Sequence, residues 1–178
     1  MNRLLILLPL LLSASCATYA AKPTSGPEFE GGMIRVGGGL VLASNSPGLL
    51  DGKSSGGQVS AGYLFTETLE AGVAGSIDSV DSDPENIDLS LFTVYGRAYG
   101  RDYGPIRPWF QVSLGTGTSE TDAFQGDTNV IGLGIGFMHF LNEDWSLDVS
   151  ADQTFYHQVD GGADNSGIRV GFGVSYWL

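Results

Sequence analysis

The stretch GIRVGFGVSYWL at residues 167–178 puts Ile168, Val170, Phe172, Val174, Tyr176 and Leu178 on every second position. Arg169, Gly171, Gly173, Ser175 and Trp177 lie between them. Successive side chains of an extended chain point to opposite faces, so a period of two means a strand with one apolar face. The pattern recurs upstream. Trp145, Leu147, Val149 and Ala151 alternate with Ser146, Asp148, Ser150 and Asp152, and Ile131, Leu133, Ile135 and Phe137 alternate with Gly132, Gly134 and Gly136. The second face is polar or tiny each time.

Segments of this kind run near 31–43, 57–66, 68–78, 86–100, 107–118, 128–141, 145–157 and 167–178. They make an even set of about eight, each long enough to cross a bilayer as a tilted strand of about 9 to 11 residues. Hydrocarbon offers no water to an unpaired backbone group, so strands can span it only as a closed barrel. The connections alternate as well. The turns near Thr66-Glu67 and Asn142-Glu143-Asp144 are tight, whereas 44–56, 79–86, 119–127 and 158–166 are longer and polar. Short periplasmic turns and long external loops are expected from such a rhythm. The fold class read from the chain is therefore all-β, an eight-stranded antiparallel up-and-down transmembrane β-barrel.

A soluble calyx would share the period but point its apolar residues inward around a ligand. Glycines and opposite charges on the non-apolar face favour lipid outside. So do the aromatics Tyr63, Phe65, Tyr95, Tyr99, Trp109, Trp145, Tyr156 and Tyr176 near strand ends, which read as interfacial girdles.

The beginning of the chain reads as an export signal. Arg3 precedes the apolar run Leu4–Leu12, and small residues follow at Ser13, Ala14, Ser15 and Ala17. The run is shorter than the roughly 20 residues of a membrane-spanning helix and contains Pro9, so it is not an anchor. Cleavage after Ala17 or Ala20 is expected. Lipidation of Cys16 is the alternative, with Ser13 standing where such sites usually have leucine. The expected layout is a signal peptide at 1–20, a short flexible lead-in at 21–30 and one barrel domain at 31–178. Beyond Cys16 the chain has no cysteine, so no disulfide can staple the barrel. The formal charge is −12, and removal of Arg3 makes the mature chain more acidic still. That excludes nucleic acid as a partner.

With these features in place, GIRVGFGVSYWL resembles the assembly signal of outer-membrane barrels, carried here by Phe172, Val174, Tyr176 and Leu178. The usual final aromatic is replaced by Leu178 with Trp177 beside it. From Gly31 to Leu178 the chain resembles the small barrel family that includes the transmembrane domain of OmpA and the OmpX-type proteins. The resemblance implies the Gram-negative outer membrane as location, lipid and lipopolysaccharide as surroundings, and insertion by the outer-membrane assembly machinery. It implies no particular activity, because one fold hosts many functions.

Parity assigns Arg35, Glu70, Asp88, Asp148, Asp152 and Arg169 to the lumen. If the last segment closes on the first, Arg169 and Arg35 are neighbours, and Asp148 and Asp152 reach them from the other side. Buried charges are tolerable only when paired, so a structural ion-pair plug is expected. A gated pore is the sharper alternative, though eight strands leave an interior that side chains can fill.

Chemical motifs are scarce. The glycine runs at Gly37 and Gly132 lack the strand-turn-helix context of a phosphate loop and read as lumen-facing packing glycines. Asp81, Asp83 and Glu85, and Asp160 and Asp164, supply oxygens that could hold calcium, but neither set completes a calcium loop. No cofactor or resident metal is expected. His157 faintly resembles the histidine of lipid A deacylases, whose nucleophilic serine follows two positions later. This chain has Val159 there, and Ser166 would have to fold back to replace it. His139 has Leu141 two positions on and is expected at the membrane interface. The chain is thus read as a non-enzymatic barrel with a structural or adhesin-like surface role and a filled lumen. A small-solute channel is the alternative, and a lipid A-modifying enzyme a remoter one. Dense acid in the loops would repel lipopolysaccharide unless divalent cations bridge them, so calcium-dependent surface behaviour is expected.

Overall fold

The computed structural model describes residues 29–45, 53–81, 87–120, 125–159 and 165–178. The expected signal peptide with Cys16, residues 21–28 of the expected lead-in, and Asp83, Glu85, Asp160 and Asp164 lie outside the described residues, as does the side chain of Asp81.

Eight strands follow in order: β1 (Ile34–Asn45), β2 (Lys53–Thr66), β3 (Leu69–Asp81), β4 (Ile87–Tyr99), β5 (Ile106–Glu120), β6 (Gln125–Phe140), β7 (Trp145–Gln158) and β8 (Asn165–Trp177). Each pairs antiparallel with the next, and β1 pairs with β8, so the sheet closes. Closure leaves no strand edge with unpaired backbone groups, as hydrocarbon demands. One end carries the short connections after β2, β4 and β6. Asn142 Oδ1 accepts hydrogen bonds from the Asp144 and Trp145 amides, both at 2.9 Å, and pins the β6–β7 turn. Gly104 adopts φ +65° in the β4–β5 turn, a left-handed geometry that favours glycine. Strands β2 and β6 begin at Lys53 and Gln125, earlier than the apolar pattern suggested. Backbone pairing continues above the apolar belt, where outward side chains such as Ser55 and Asp127 need no lipid contact.

The register sets the size of the interior. Partner by partner, Arg35 leads through Gly62, Gly72, Tyr95, Ser113, Gly132, Thr154 and Gly167 back to β1 at Asn45, ten residues further along. With a rise of about 3.3 Å and a strand spacing of about 4.8 Å, that shear corresponds to a tilt of about 41° and a backbone radius of about 8 Å. Such a cylinder is filled by its own side chains. Outward on β8 and at the residue just after it lie Ile168, Val170, Phe172, Val174, Tyr176 and Leu178, and at that tilt they cover about 25 Å, the height of an outer-membrane apolar band. Leu40, Val59, Val73, Phe92, Val94, Leu114, Leu133 and Ile135 continue the band around the barrel as exposed apolar residues.

The aromatics divide between the two faces. Tyr63, Phe65 and Trp145 face outward near the short-turn end, and Tyr176 packs against Trp145 with ring centroids 4.8 Å apart. Tyr95, Tyr99, Trp109 and Tyr156 are buried inside the barrel, which corrects their expected place in an interfacial girdle. Their strands put Phe92, Val94, Phe110, Val112 and Phe155 on lipid, and parity then turns these four rings inward.

Candidate functional site

The lumen is filled in layers from the short-turn end. Lowest is an apolar plug of Leu64, Tyr99, Trp109, Met138, Phe140 and Trp177, completed by Phe29 from the segment preceding β1. Phe29 is 5% exposed and meets Trp177, Tyr99 and Phe140 at centroid distances of 4.5, 5.3 and 5.7 Å. The Arg107 guanidinium lies 3.7 Å from the Phe29 ring centre and is paired with Asp102. The Gly32 amide donates to Leu64 O at 2.7 Å. The expected lead-in therefore sends Phe29 into the barrel while Glu30 stays exposed: a phenylalanine this large gains more by filling the open mouth than by staying in water.

Above the plug, Glu70 on β3 accepts from Arg35 Nε and Nη2, at 3.2 and 3.0 Å, from the Tyr95 hydroxyl at 2.6 Å and from the Tyr99 hydroxyl. Arg35 Nη2 also donates to Tyr95 Oη at 2.8 Å, and Nη1 donates to Ser175 Oγ at 3.0 Å. That serine in turn donates to Asp148. Two glycines make the room. A Cβ at Gly62 would sit 2.0 Å from Glu70 Oε1, and one at Gly72 would sit 2.4 Å from Tyr95 Oη. Beside this knot Arg97 donates to Gln111 Oε1 at 3.0 and 2.7 Å and stacks over the Trp109 ring at 4.0 Å. Such a desolvated cation–π contact contributes about 1–2 kcal/mol.

Nearer the long-loop end Arg169 pairs with Asp78 at 2.9 Å and donates to Ser76 Oγ at 2.9 Å. Leu89, Leu91, Val130 and Tyr156 form a second apolar cluster there. Between the two ion pairs lies a chamber of about 90 Å³, lined largely by hydroxyl and amide side chains such as Gln58, Ser60, Thr93, Ser113 and Ser150.

The expected lumenal set is thus only partly where parity placed it. Arg35, Glu70, Asp148, Asp152 and Arg169 face inward, but Asp88 is exposed on the outer surface, where it accepts from Ser79 Oγ at 2.7 Å. On β4 the odd positions from Leu89 to Tyr99 point inward, and Asp88 lies above the apolar belt, where an acid can meet water. The partners differ too. Arg35 and Arg169 reach across the lumen to Glu70 and Asp78 on β3, not to Asp148 and Asp152 on β7. Sequence reading missed Asp78, Tyr95, Arg97, Tyr99 and Trp109. The signal for the last four was present: inward parity on β4 and β5 follows once Phe92, Val94, Phe110 and Val112 are given to lipid. Gly37 and Gly132 face the lumen against Ser175 and Ser113, whereas Gly38 lies on the outer face. Phe172, Val174 and Tyr176 share the lipid face of β8, and Leu178 just after the strand continues it. His157 and His139 are both on outward positions. Among the described residues no group of three or more His, Cys, Asp or Glu could hold a metal ion.

This architecture has relatives of known structure. Neisserial surface protein A superposes with a TM-score of 0.74 at 16% identity, over 82% of this chain and 98% of the other. The outer membrane protein OprG from Pseudomonas aeruginosa gives 0.59 at 13%, over 87% and 99%. Ail, the attachment invasion locus protein of Yersinia pestis, in complex with the heparin analogue sucrose octasulfate, gives 0.56 at 15%, over 83% and 99%. At such identities the likeness is one of fold. No curated protein matches the sequence. The model of the outer membrane protein beta-barrel domain family matches residues 6–176. With an apolar belt outside and a charged, filled lumen inside, this chain belongs to the outer membrane protein beta-barrel domain family and resides in the Gram-negative outer membrane.

Proposed function

We propose that this barrel is a non-enzymatic structural and surface-interaction protein, adhesin-like in its use of exposed loops, and not an open channel. One observation carries the reading. The Arg35–Glu70–Tyr95–Tyr99 knot and the Phe29–Trp177 plug lie one above the other across a lumen of about 8 Å backbone radius. A hydrated ion would have to break several charge-assisted hydrogen bonds and an aromatic cluster together. Planar-bilayer recordings on refolded protein test this, with Arg169→Ala alongside. Silence from both supports the filled barrel. Reproducible steps that grow in the variant would make it a gated channel, the competing reading that the hydroxyl-lined chamber favours.

The net charge of −12 constrains the surface partner. A polyanion such as a sulfated glycan is repelled, so the partner is cationic or bridged by divalent ions, as with the phosphates of surrounding lipopolysaccharide. Surface binding by expressing cells that is unchanged by chelation would count against bridging. We infer further that residues 1–20 direct export and that β8 engages the outer-membrane assembly machinery. N-terminal sequencing of the mature protein reads the first, and in-cell assembly of β8 variants reads the second.

A further inference from the structure

We propose that the mid-barrel chamber is a binding site for one small, uncharged, hydrogen-bonding solute of glycerol or urea size, admitted from the long-loop side past the Arg169–Asp78 pair. The chamber measures about 90 Å³, room for about six waters or for one solute of about six non-hydrogen atoms. Arg97 Nη1, Trp109 Nε1 and Asp148 Oδ1 are buried with no hydrogen-bond partner among the described residues, and all three residues line this space. Two are donors and one is an acceptor, so a complementary ligand carries both functions, as hydroxyls and amides do. Charge selects against ions. Arg97 would repel a cation, and Asp148 and Asp152 an anion, while the other two lumenal arginines are held by Glu70 and Asp78. The indole of Trp109, with Arg97 stacked on it, provides a flat wall, and Ser60, Ser113 and Ser150 provide further hydroxyls.

The route follows from the two closures. Towards the short-turn end the chamber is backed by the Glu70 knot, whose Arg35 and Glu70 side chains are 3% and 0% exposed, and then by the aromatic plug. Towards the loops stand one ion pair, whose Arg169 side chain is 13% exposed, and the small apolar cluster of Leu89, Leu91, Val130 and Tyr156. Opening the pair breaks one guanidinium–carboxylate contact and the hydrogen bond to Ser76, whereas opening the other end breaks a network of six side chains and the aromatic cluster below it.

The full chain refolded into lipid nanodiscs and labelled with 15N-tryptophan has three indole signals, and Trp109→Phe identifies the one that belongs to the chamber. Titration with glycerol and with urea is expected to move the Trp109 indole resonance to saturation, and sucrose, which is too large, is expected to leave it in place. Ala74→Leu puts an isobutyl group into the chamber away from both ion pairs and should abolish the shift while heat-modifiable gel mobility shows the barrel intact. Arg169→Gln should speed exchange of the bound probe and Phe29→Ala should not. A shift that is absent or linear in probe concentration means the chamber holds water alone, and overturns the proposal. A saturable shift that survives in Ala74→Leu places the binding elsewhere and overturns it equally. If Ala74→Leu does not fold, Ser113→Leu, which fills the same space from β5, is read by the same criteria.

Discussion

Glu70→Gln tests the central knot most sharply. Both carboxylate oxygens of Glu70 accept, and every group that contacts them is a donor: Arg35 Nε and Nη2, the Tyr95 hydroxyl and the Tyr99 hydroxyl. A glutamine of the same shape presents one oxygen and one amide group, so in either orientation an N–H faces a donor. The Arg35 guanidinium also loses its counter-charge in a place where its side chain is 3% exposed. Breaking a buried ion pair from one side costs about 3–5 kcal/mol. By contrast, Ser60→Ala removes only a long, 3.4 Å hydrogen bond from the Arg35 guanidinium and leaves its counter-charge in place, so it should cost about 1 kcal/mol or less. Unfolding by guanidinium chloride in lipid vesicles, followed by tryptophan fluorescence and heat-modifiable mobility, measures both. Arg35→Met combined with Glu70→Met completes a cycle in which the double variant loses less than the sum of the single ones. A Glu70→Gln loss within about 1 kcal/mol of Ser60→Ala, or strict additivity in the cycle, would refute the reasoning.

Three further outcomes are expected. Phe29→Ala empties the mouth of the barrel against Trp177 and should cost about 3–5 kcal/mol, seen as a lower temperature for the heat-modifiable shift. Asp78→Ala strands Arg169 and should destabilise by about 3 kcal/mol or more, whereas Asp88→Ala on the outer surface should stay within about 0.5 kcal/mol; equal effects in the same unfolding assay would contradict the inward and outward assignments. Phe172→Arg puts a cation near the middle of the lipid face of β8 and should cost about 2–4 kcal/mol, with less barrel assembled in the outer membrane on fractionation; wild-type yield and stability would argue that this face does not meet lipid.

Much of the architecture is legible in the chain itself. Alternation in Ile168–Leu178, Ile131–Phe137 and Trp145–Ala151 is a local property: each residue is sorted by whether its own side chain meets lipid or lumen, and the two solvents differ enough to leave a period of two in the chain. The number of strands and the rhythm of short and long connections followed from the same signal. The pattern failed where that contrast weakens. Above the apolar belt Asp88 can face outward, and deep in the lumen an aromatic such as Tyr95 is as well placed as at an interface, because its ring is buried while its hydroxyl joins the network. Pairing could not be read at all. A shear of ten carries neighbouring strands past one another, so Arg35 meets Glu70 two strands away and Arg169 meets Asp78 across the lumen. Phe29 joins Trp177 only once β1 and β8 have closed. Which residues face lipid along most of each strand can be read from the chain alone. Only the closed barrel decided which lumenal charges touch, because those contacts depend on tilt and register, which no single strand contains.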